Sequence, residues 1–432
     1  MLNRDYKQTK FLMPLVAALG LSAALLFSAC SKEEDRSPIV IEKSVPVKFY
    51  TMGEISTKEA ADGHCVWRMD SLPDPTANYI LQDTTSATVR FIPITAGTYM
   101  LSMNTMKDER EYKEVYTVRV SAPEKEPSPY IAKIFEILPA PGQFTNQLPL
   151  YRPDGEEWAR WTDYMKWTER SLVGKAKGDL ISLGGFGGYI IFGFDHTILN
   201  VPGLRDFRVD GNAFFAAANP NPNAPKKGGS CEPGIIEVAY DKNKNGKPDD
   251  GWYEIAGSEY NNPKAIRNYE ITYYRPETEE KDADYDPEKT FVTIKKYIRW
   301  EDNQGHSGYL EKNTWHNQSY YPGWVKEDKL TFRGTRLPDN AVEESGEGKY
   351  WVQYCFDYGY VDNLPNGDID NAVDIDWAVD KDGKKVHLPG IDFVRVYCAM
   401  RQECGWLGET STEIQGATDL HLSGKRLKTN GK

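Results

Sequence analysis

The 432-residue sequence predicts an all-β protein: a small N-terminal sandwich, then a larger β-sandwich of jelly-roll type with minor helix. Three observations carry this. The chain holds 36 glycines and 26 prolines, and 12 % of its residues are aromatic, a composition of many short strands and turns. Runs of alternating apolar and polar residues recur along nearly its whole length, which is the two-residue period of strands with one face buried. Helix-like spacing is confined to Trp158, Trp161, Tyr164 and Trp167, predicting one short helix packed on a sheet.

The first element is a leader. Arg4, Lys7 and Lys10 precede an apolar stretch from Phe11 to Phe27, and Ser28-Ala29 stand directly before Cys30. A cationic start, an apolar middle and a small-residue end describe a cleaved export signal over 1–29. Pro14, Gly20 and that small-residue end argue against an uncleaved membrane helix. The cysteine after the small residues resembles a bacterial lipobox. That resemblance implies acylation of Cys30 and a lipid anchor at the outer membrane, facing the exterior. The acidic run Glu33-Glu34-Asp35 resembles the surface-export tag of Bacteroidota lipoproteins, and residues 30–44 read as a charged tether.

Removing 1–29 takes Lys plus Arg from 52 to 49 and Asp plus Glu from 64 to 63, leaving a net charge of about −14. Such a surface repels phosphate backbones, so nucleic acid is excluded as a partner. No later apolar run approaches membrane length, and contact with the membrane is expected only through the lipid anchor.

Residues 45–121 show strand-like runs at Val45–Phe49, Cys65–Met69, Thr88–Phe91, Gly97–Leu101 and Val115–Val120, with turn residues between them. This is the rhythm of an immunoglobulin-like sandwich. Trp67 and the late Gly97-Thr98-Tyr99 resemble bacterial PKD modules, which implies a spacer. Pro123, Pro127 and Pro129 stiffen a linker at 122–130.

Ten further runs fill 131–425: 180–183, 189–194, 206–209, 235–240, 252–255, 269–274, 291–298, 329–332, 350–356 and 391–398. In the last, Val394, Val396 and Cys398 line one face and Phe393 and Tyr397 the other, so both faces are expected to be covered. Gly184-Gly185-Phe186-Gly187-Gly188 precedes a strand and not a helix, which favours tight packing over phosphate binding. With Asp210-Gly211-Asn212-Ala213-Phe214, it resembles a secreted bacterial β-sandwich family. Segments 300–309 (with Asp302-Asn303-Gln304-Gly305-His306), 390–397 (with Gly390-Ile391-Asp392-Phe393) and 404–414 (with Cys404-Gly405-Trp406-Leu407-Gly408) resemble a narrower group, the PKD-bearing cell-surface lipoproteins of Bacteroidota. The resemblance spans about residues 130–422. It implies nutrient capture at the cell surface, with an outer-membrane transporter as partner and a corrinoid (vitamin B12) as first ligand.

The sharpest local motif is Asp241-Lys242-Asn243-Lys244-Asn245-Gly246-Lys247-Pro248-Asp249-Asp250. Asp241, Asn243 and Asn245 stand at positions 1, 3 and 5 of a calcium loop and Gly246 at position 6. The Lys247 carbonyl falls at 7 and Asp249 at 9, and with a different loop closure Asp250 or Glu254 would substitute for the missing Glu at 12. A structural calcium ion and a polar hairpin held by Asx turns both fit this pattern.

A second acidic run contains Asp362, Asp368, Asp370, Asp374, Asp376, Asp380 and Asp382. The i, i+2 pairs would share a face on strands and could serve a cation or glycoside hydrolysis. The Asn, Gly and Pro around them favour a solvated loop.

The insert Trp315-His316-Asn317-Gln318-Ser319-Tyr320-Tyr321-Pro322-Gly323-Trp324 sets rings beside amides. Trp315, His316, Asn317, Gln318, Tyr320, Tyr321 and Trp324 are therefore candidate ligand contacts, unless the rings fold inward as a satellite core. No zincin helix, nucleophile elbow or phosphate loop occurs, so a non-catalytic binder is expected. A glycan-binding surface protein is the alternative to corrinoid capture, followed by a glycoside hydrolase and a structural adhesin. Excluding Cys30, five cysteines remain, an odd number. Spacing fits both a Cys355–Cys398 and a Cys398–Cys404 bond.

Overall fold

The computed structural model describes residues 37–60, 64–107, 109–151 and 161–429. The expected leader, Cys30 and the acidic tag lie outside them. Among the described residues no helix is long and apolar enough to cross a membrane.

Alternation places the small sandwich. In Gly97–Lys107 the side chains of Tyr99, Leu101 and Met103 turn inward, as Trp67 does on Cys65–Ser71 and Tyr116 and Val118 do on Arg110–Val120. These three strands and Ile39–Pro46 form one sheet, in the order 39–46, 110–120, 97–107, 65–71. Gly53–Ser56, Thr88–Pro93 and Tyr79–Gln82 form the facing sheet, ordered 53–56, 88–93, 79–82. Val89 and Phe91 close the core between them, with the Phe91 and Tyr99 rings edge to face at 5.1 Å.

The expected tether is shorter than its charge suggests. Residues 39–46 pair in parallel with 112–119, and Lys43 reaches the buried Glu114 carboxylate at 2.5 Å. Every second residue there is half-buried, so this charged segment is an edge strand.

Each of the ten runs expected in the larger unit overlaps a strand, the run 180–183 only at 181–182 and the run 350–356 only at 351–354. The central sheet has seven strands. Its main path runs Ala378–Val379, Tyr253–Ile255, Gly234–Ala239, Gly390–Cys398, Tyr189–Leu199, Lys133–Leu138, and Tyr360–Val361 pairs on 234–235. All its pairings are antiparallel. One face packs Ile190, Phe192, Ile236, Val238, Val394 and Val396 against Phe207, Val209, Ile414 and Ala417 of short strands opposite. The other face presents Tyr189 and Tyr397 to a four-stranded Greek-key sheet ordered 307–313, 292–302, 266–274, 329–336. Tyr397 donates no side chain to the first core; its hydroxyl accepts Thr335 N–H at 2.9 Å. The expectation that 391–398 is covered on both faces is met.

Gly187 has φ of 85° and lies where a Cβ would come within 2.2 Å of the Phe332 side chain. Close packing between layers is thus the role of this glycine. The helix is Trp161–Leu172, resting on 133–138; Tyr164 stacks on Trp324 at 3.7 Å between ring centres. The expected contribution of Trp158 lies outside the described residues.

The expected linker runs over the larger unit instead of standing free. Lys125 pairs with Asp195 at 3.1 Å, and the Pro129 carbonyl accepts Asp419 N–H at 2.7 Å. Tyr50, Ile80, Ile92 and Ile94 of the small sandwich share one apolar cluster with Val201 and Leu204.

Candidate functional site

Three loops converge on the larger sandwich around a cleft of about 310 Å³. The segment after 133–138 supplies Gln143 and Phe144, and the segment after 307–313 supplies Trp315 and His316. The turn Gly405–Leu407 supplies Trp406. Glu232, Glu409 and Glu413 form an acidic floor. Trp315 and Trp406 are 55 % and 37 % exposed, and their rings meet edge to face at 6.0 Å. The Trp406 indole N–H donates to the Lys349 carbonyl at 3.0 Å, which fixes that ring at the rim. Phe144 and His316 are edge to face at 4.6 Å. Burial lowers the His316 pKa, so the imidazole is neutral at pH 7.

The seven insert residues divide by these contacts. Trp315 and His316 line the cleft. The Gln318 amide donates to the Gln143 carbonyl and braces the wall, while Asn317 is exposed and not part of the lining. Tyr320, Tyr321 and Trp324 correct the expectation: they are core residues. The Tyr320 hydroxyl accepts Asn313 N–H at 3.1 Å, the Tyr321 hydroxyl donates to Glu327 O at 2.7 Å, and Trp324 lies under Tyr164. Pro322 and Gly323 turn the chain inward, so apolar burial outweighs exposure for three of the five rings and imidazole.

The cleft floor was not visible as a motif. Glu232, Asp362 and Glu413 are far apart in sequence, yet one oxygen of each lies within 4.8 Å of the others. The pairing of 234–235 with 360–361 brings Glu232 and Asp362 together. Glu413 comes from a strand paired with 181–182, and its N–H donates to Asp362 Oδ2 at 2.9 Å. Asp362 has φ of 54°, the left-handed region that Asp tolerates better than most residues. Glu232 also accepts from the Ser230 hydroxyl at 3.1 Å, and Glu413 from the Ser411 hydroxyl at 2.8 Å. Among the described residues no Lys or Arg lines the cleft.

Burial, then repulsion from neighbouring carboxylates, raises the pKa values of Asp362, Glu413 and Glu409; burial alone raises that of Glu232. Such a group either retains protons or shares a hard cation, for which an all-oxygen donor set is the fitting chemistry.

The acidic run did not form strand-borne carboxylate pairs. Asp368 and Asp374 each accept the N–H two residues on, capping the turns Ile369–Asn371 and Ile375–Trp377. Asp370 pairs with the fully buried Arg205 at 2.6 Å. Asp374 is itself buried and accepts from Thr429. Asp362 lies behind the cleft lining, against Glu232 and Glu413, so neither the shared-face reading nor the solvated-loop reading describes the run as a whole. Asp380 and Asp382 alone behave as a turn at the surface.

The 241–250 loop connects two strands, as expected. Asp241 accepts Asn245 N–H at 3.1 Å and Gly246 N–H at 2.7 Å. Asn243 accepts Asn245 N–H at 2.9 Å and Asn245 accepts Lys247 N–H at 2.8 Å. The Asn243 amide faces Asp249 and Asp250 at 3.2 and 3.1 Å, and the Lys247 carbonyl accepts Asp249 N–H. The six expected ligand residues therefore converge on one small exposed volume, while none lines the cleft.

No family model matches this chain, and no curated protein matches it. Among solved structures it is similar over a part of its length to a sialyltransferase from Photobacterium damsela, at 16 % identity and a TM-score of 0.17. That match covers 20 % of this chain and 18 % of the other. It is similar also to the PKD domain from KIAA 1837 protein, at 17 % identity and a TM-score of 0.15, covering 21 % of this chain and 90 % of that domain. Likenesses this partial carry no argument, and the functional reading rests on the cleft.

Proposed function

We propose that the chain is a non-catalytic, lipid-anchored surface protein whose larger sandwich binds a glycan in the cleft beneath Trp315 and Trp406. One observation carries the reading: two exposed indole rings stand over a floor of carboxyl and amide groups. Aromatic faces stack on the apolar face of a sugar ring, and Glu232, Glu413, Gln353 and Asn212 offer acceptors and donors to its hydroxyls. The volume, about 310 Å³, lies at the lower end of small-molecule sites, which run from about 300 to 1,000 Å³. It suits one or two sugar rings better than a corrinoid, which would have to lie across the mouth.

The leader and Cys30 support the anchor and an outward-facing place at the outer membrane, beside a transporter that takes the captured nutrient. The smaller sandwich then serves as a spacer. The convergent donors of 241–250 support a structural calcium ion remote from the ligand.

A glycan array followed by calorimetry tests the reading. Binding that falls at least tenfold in both Trp315→Ala and Trp406→Ala supports it, with no sugar released from the bound glycan. Absence of any glycan ligand, together with tight binding of cyanocobalamin, would overturn the glycan class in favour of corrinoid capture.

A further inference from the structure

We infer that Cys231 and Cys355 form a disulfide at the back of the cleft floor, with Cys355 reacting first. Both cysteines are free thiols in the structure, and their side chains are hydrogen-bonded to each other. The backbone around them is tied together independently of the sulfurs. The Asn340 amide donates to Cys231 O at 2.9 Å and to Tyr354 O at 2.7 Å, bridging the two segments. Gly228 pairs with Tyr354 and Gly229 with Gln353, and Cys355 N–H donates to Lys227 O at 3.3 Å. Glu232 N–H donates to Asp362 O at 2.8 Å, while Asn363 bonds both the N–H and the carbonyl of Phe356. These ties hold the segments carrying the two cysteines side by side.

The other cysteines lack this arrangement. Cys65 donates to Ser86 O at 2.8 Å within the small sandwich. Cys398 faces the Met400 and Thr410 carbonyls, and Cys404 faces the Thr410 hydroxyl. All three are buried, the environment of inert structural thiols. The Cys355–Cys398 and Cys398–Cys404 pairings that fit the spacing are thus displaced by one that spacing did not suggest.

The two thiols differ in access. Cys231 is fully buried and Cys355 is partly exposed. The hydrogen bond from Cys231 lowers the Cys355 pKa, as does the Lys227 charge to a lesser degree, whereas that same bond and then burial raise the Cys231 pKa. The thiolate is therefore formed at Cys355. With a small-molecule disulfide as oxidant, the Cys355 thiolate attacks one sulfur, and the S–S bond of the oxidant breaks. One thiolate leaves and takes up a proton. Cys231 then gives up its proton and attacks the Cys355 sulfur, expelling the second thiol. Two protein thiols are oxidised, and one disulfide is reduced to two thiols.

The bond would fix the segment carrying Glu232, one residue beyond Cys231, against the end of the Trp351–Tyr354 strand.

Peptide mapping of the reduced full chain after exposure to oxidised glutathione tests the proposal. Remaining thiols are alkylated in denaturant and the protein is digested without reduction. The expected map shows one linked pair, Cys231 with Cys355, and Cys65, Cys398 and Cys404 alkylated. Cys231→Ser should hold one glutathione on Cys355, and Cys355→Ser should leave Cys231 unreacted at the same exposure. Should a variant fail to fold, the map of the unmodified sequence decides alone. Alkylation at both Cys231 and Cys355, glutathione persisting on Cys355 in the unmodified sequence, or a link from Cys355 to any other cysteine overturns it.

Discussion

Tyr50 of the small sandwich donates its hydroxyl to Asp419 of the large one at 2.5 Å, across 369 residues of sequence. Asp419 is fully buried and also meets His196 Nε2 at 2.8 Å. The carboxylate is thus satisfied from both units, and the two sandwiches are joined by a buried polar node set beside an apolar patch. A spacer built this way positions the cleft as part of one body with its support. Tyr50→Phe removes one hydrogen bond to a charged group without changing shape, which costs about 1.5–3 kcal/mol. Denaturant melts of the two proteins check this. Identical midpoints would show that the node contributes no stability.

The same node makes stability depend on pH. Burial works against the charged form of His196, but hydrogen bonds and charges from Asp419 and Asp195 outweigh it, and the pKa is raised. A raised histidine contributes fully below its unfolded-state value of about 6.5 and loses that contribution as pH rises through the folded value. Melting temperature should accordingly fall between pH 6 and pH 8, and His196→Gln should reduce the slope. An equal slope in the variant would exclude His196 as its source.

Strands were legible because period-two patterning survives wherever one face is buried, and 97–107 shows it plainly. Residues 39–44 were illegible for the opposite reason: an exposed edge strand needs few apolar residues, and its partners are charges such as Glu114. Within the site, Trp315 and His316 could be found as a local cluster, since they share one loop. Glu232, Asp362 and Glu413 share only a sheet end, and strand order puts them together. The Asp368–Asp376 run misled because Asp at i and i+2 serves Asx-type capping as readily as a strand face. Turn chemistry won there over strand alternation.

The buried carboxyls give a pH dependence that adds to that of His196. Their folded pKa values lie above the unfolded values near 4, so protons stay bound in the folded protein after the unfolded chain has lost them. Stability contributed by this group is present at low pH and falls as pH rises above about 4. Glu413→Gln removes a charge while keeping shape, and should raise the melting temperature at pH 8 more than at pH 5. A variant less stable at both values would mean that the carboxylate is held ionised by a bound cation.

Among the described residues Arg205 is the largest fully buried side chain, and its guanidinium is met by Asp370 at 2.6 Å and by the carbonyls of Ile369 and Ala372 at 2.8 and 2.9 Å. Arg205→Ala removes this packed volume and leaves both carbonyls without their donor, which costs about 3–5 kcal/mol. Asp370→Ala is milder, because the two carbonyls remain and Asp370 is partly exposed. Arg205→Ala should therefore destabilise more than Asp370→Ala in denaturant melts. The reverse order would locate the stabilising interaction in the carboxylate.

The loop 241–250 distinguishes its two readings by the response to calcium. Asn243 and Asn245 turn amide nitrogens toward Asp249 and Asp250, so binding requires both side chains to rotate their oxygens inward. Gly246, at φ of 70° with no atom near its absent Cβ, keeps the turn open to that change. Ligand binding to the folded state alone stabilises by about 2.7 kcal/mol at one hundred times the dissociation constant. A millimolar calcium addition should therefore raise the melting temperature, and Asp241→Asn with Asp249→Asn should abolish the rise while leaving the calcium-free protein nearly unchanged. Should the double variant keep the full calcium response, the ion binds elsewhere, and Glu413→Gln would then be the variant that removes it. No response in either protein would leave the loop a hairpin closed by Asx turns, with its carboxylates balanced by Lys242, Lys244 and Lys247.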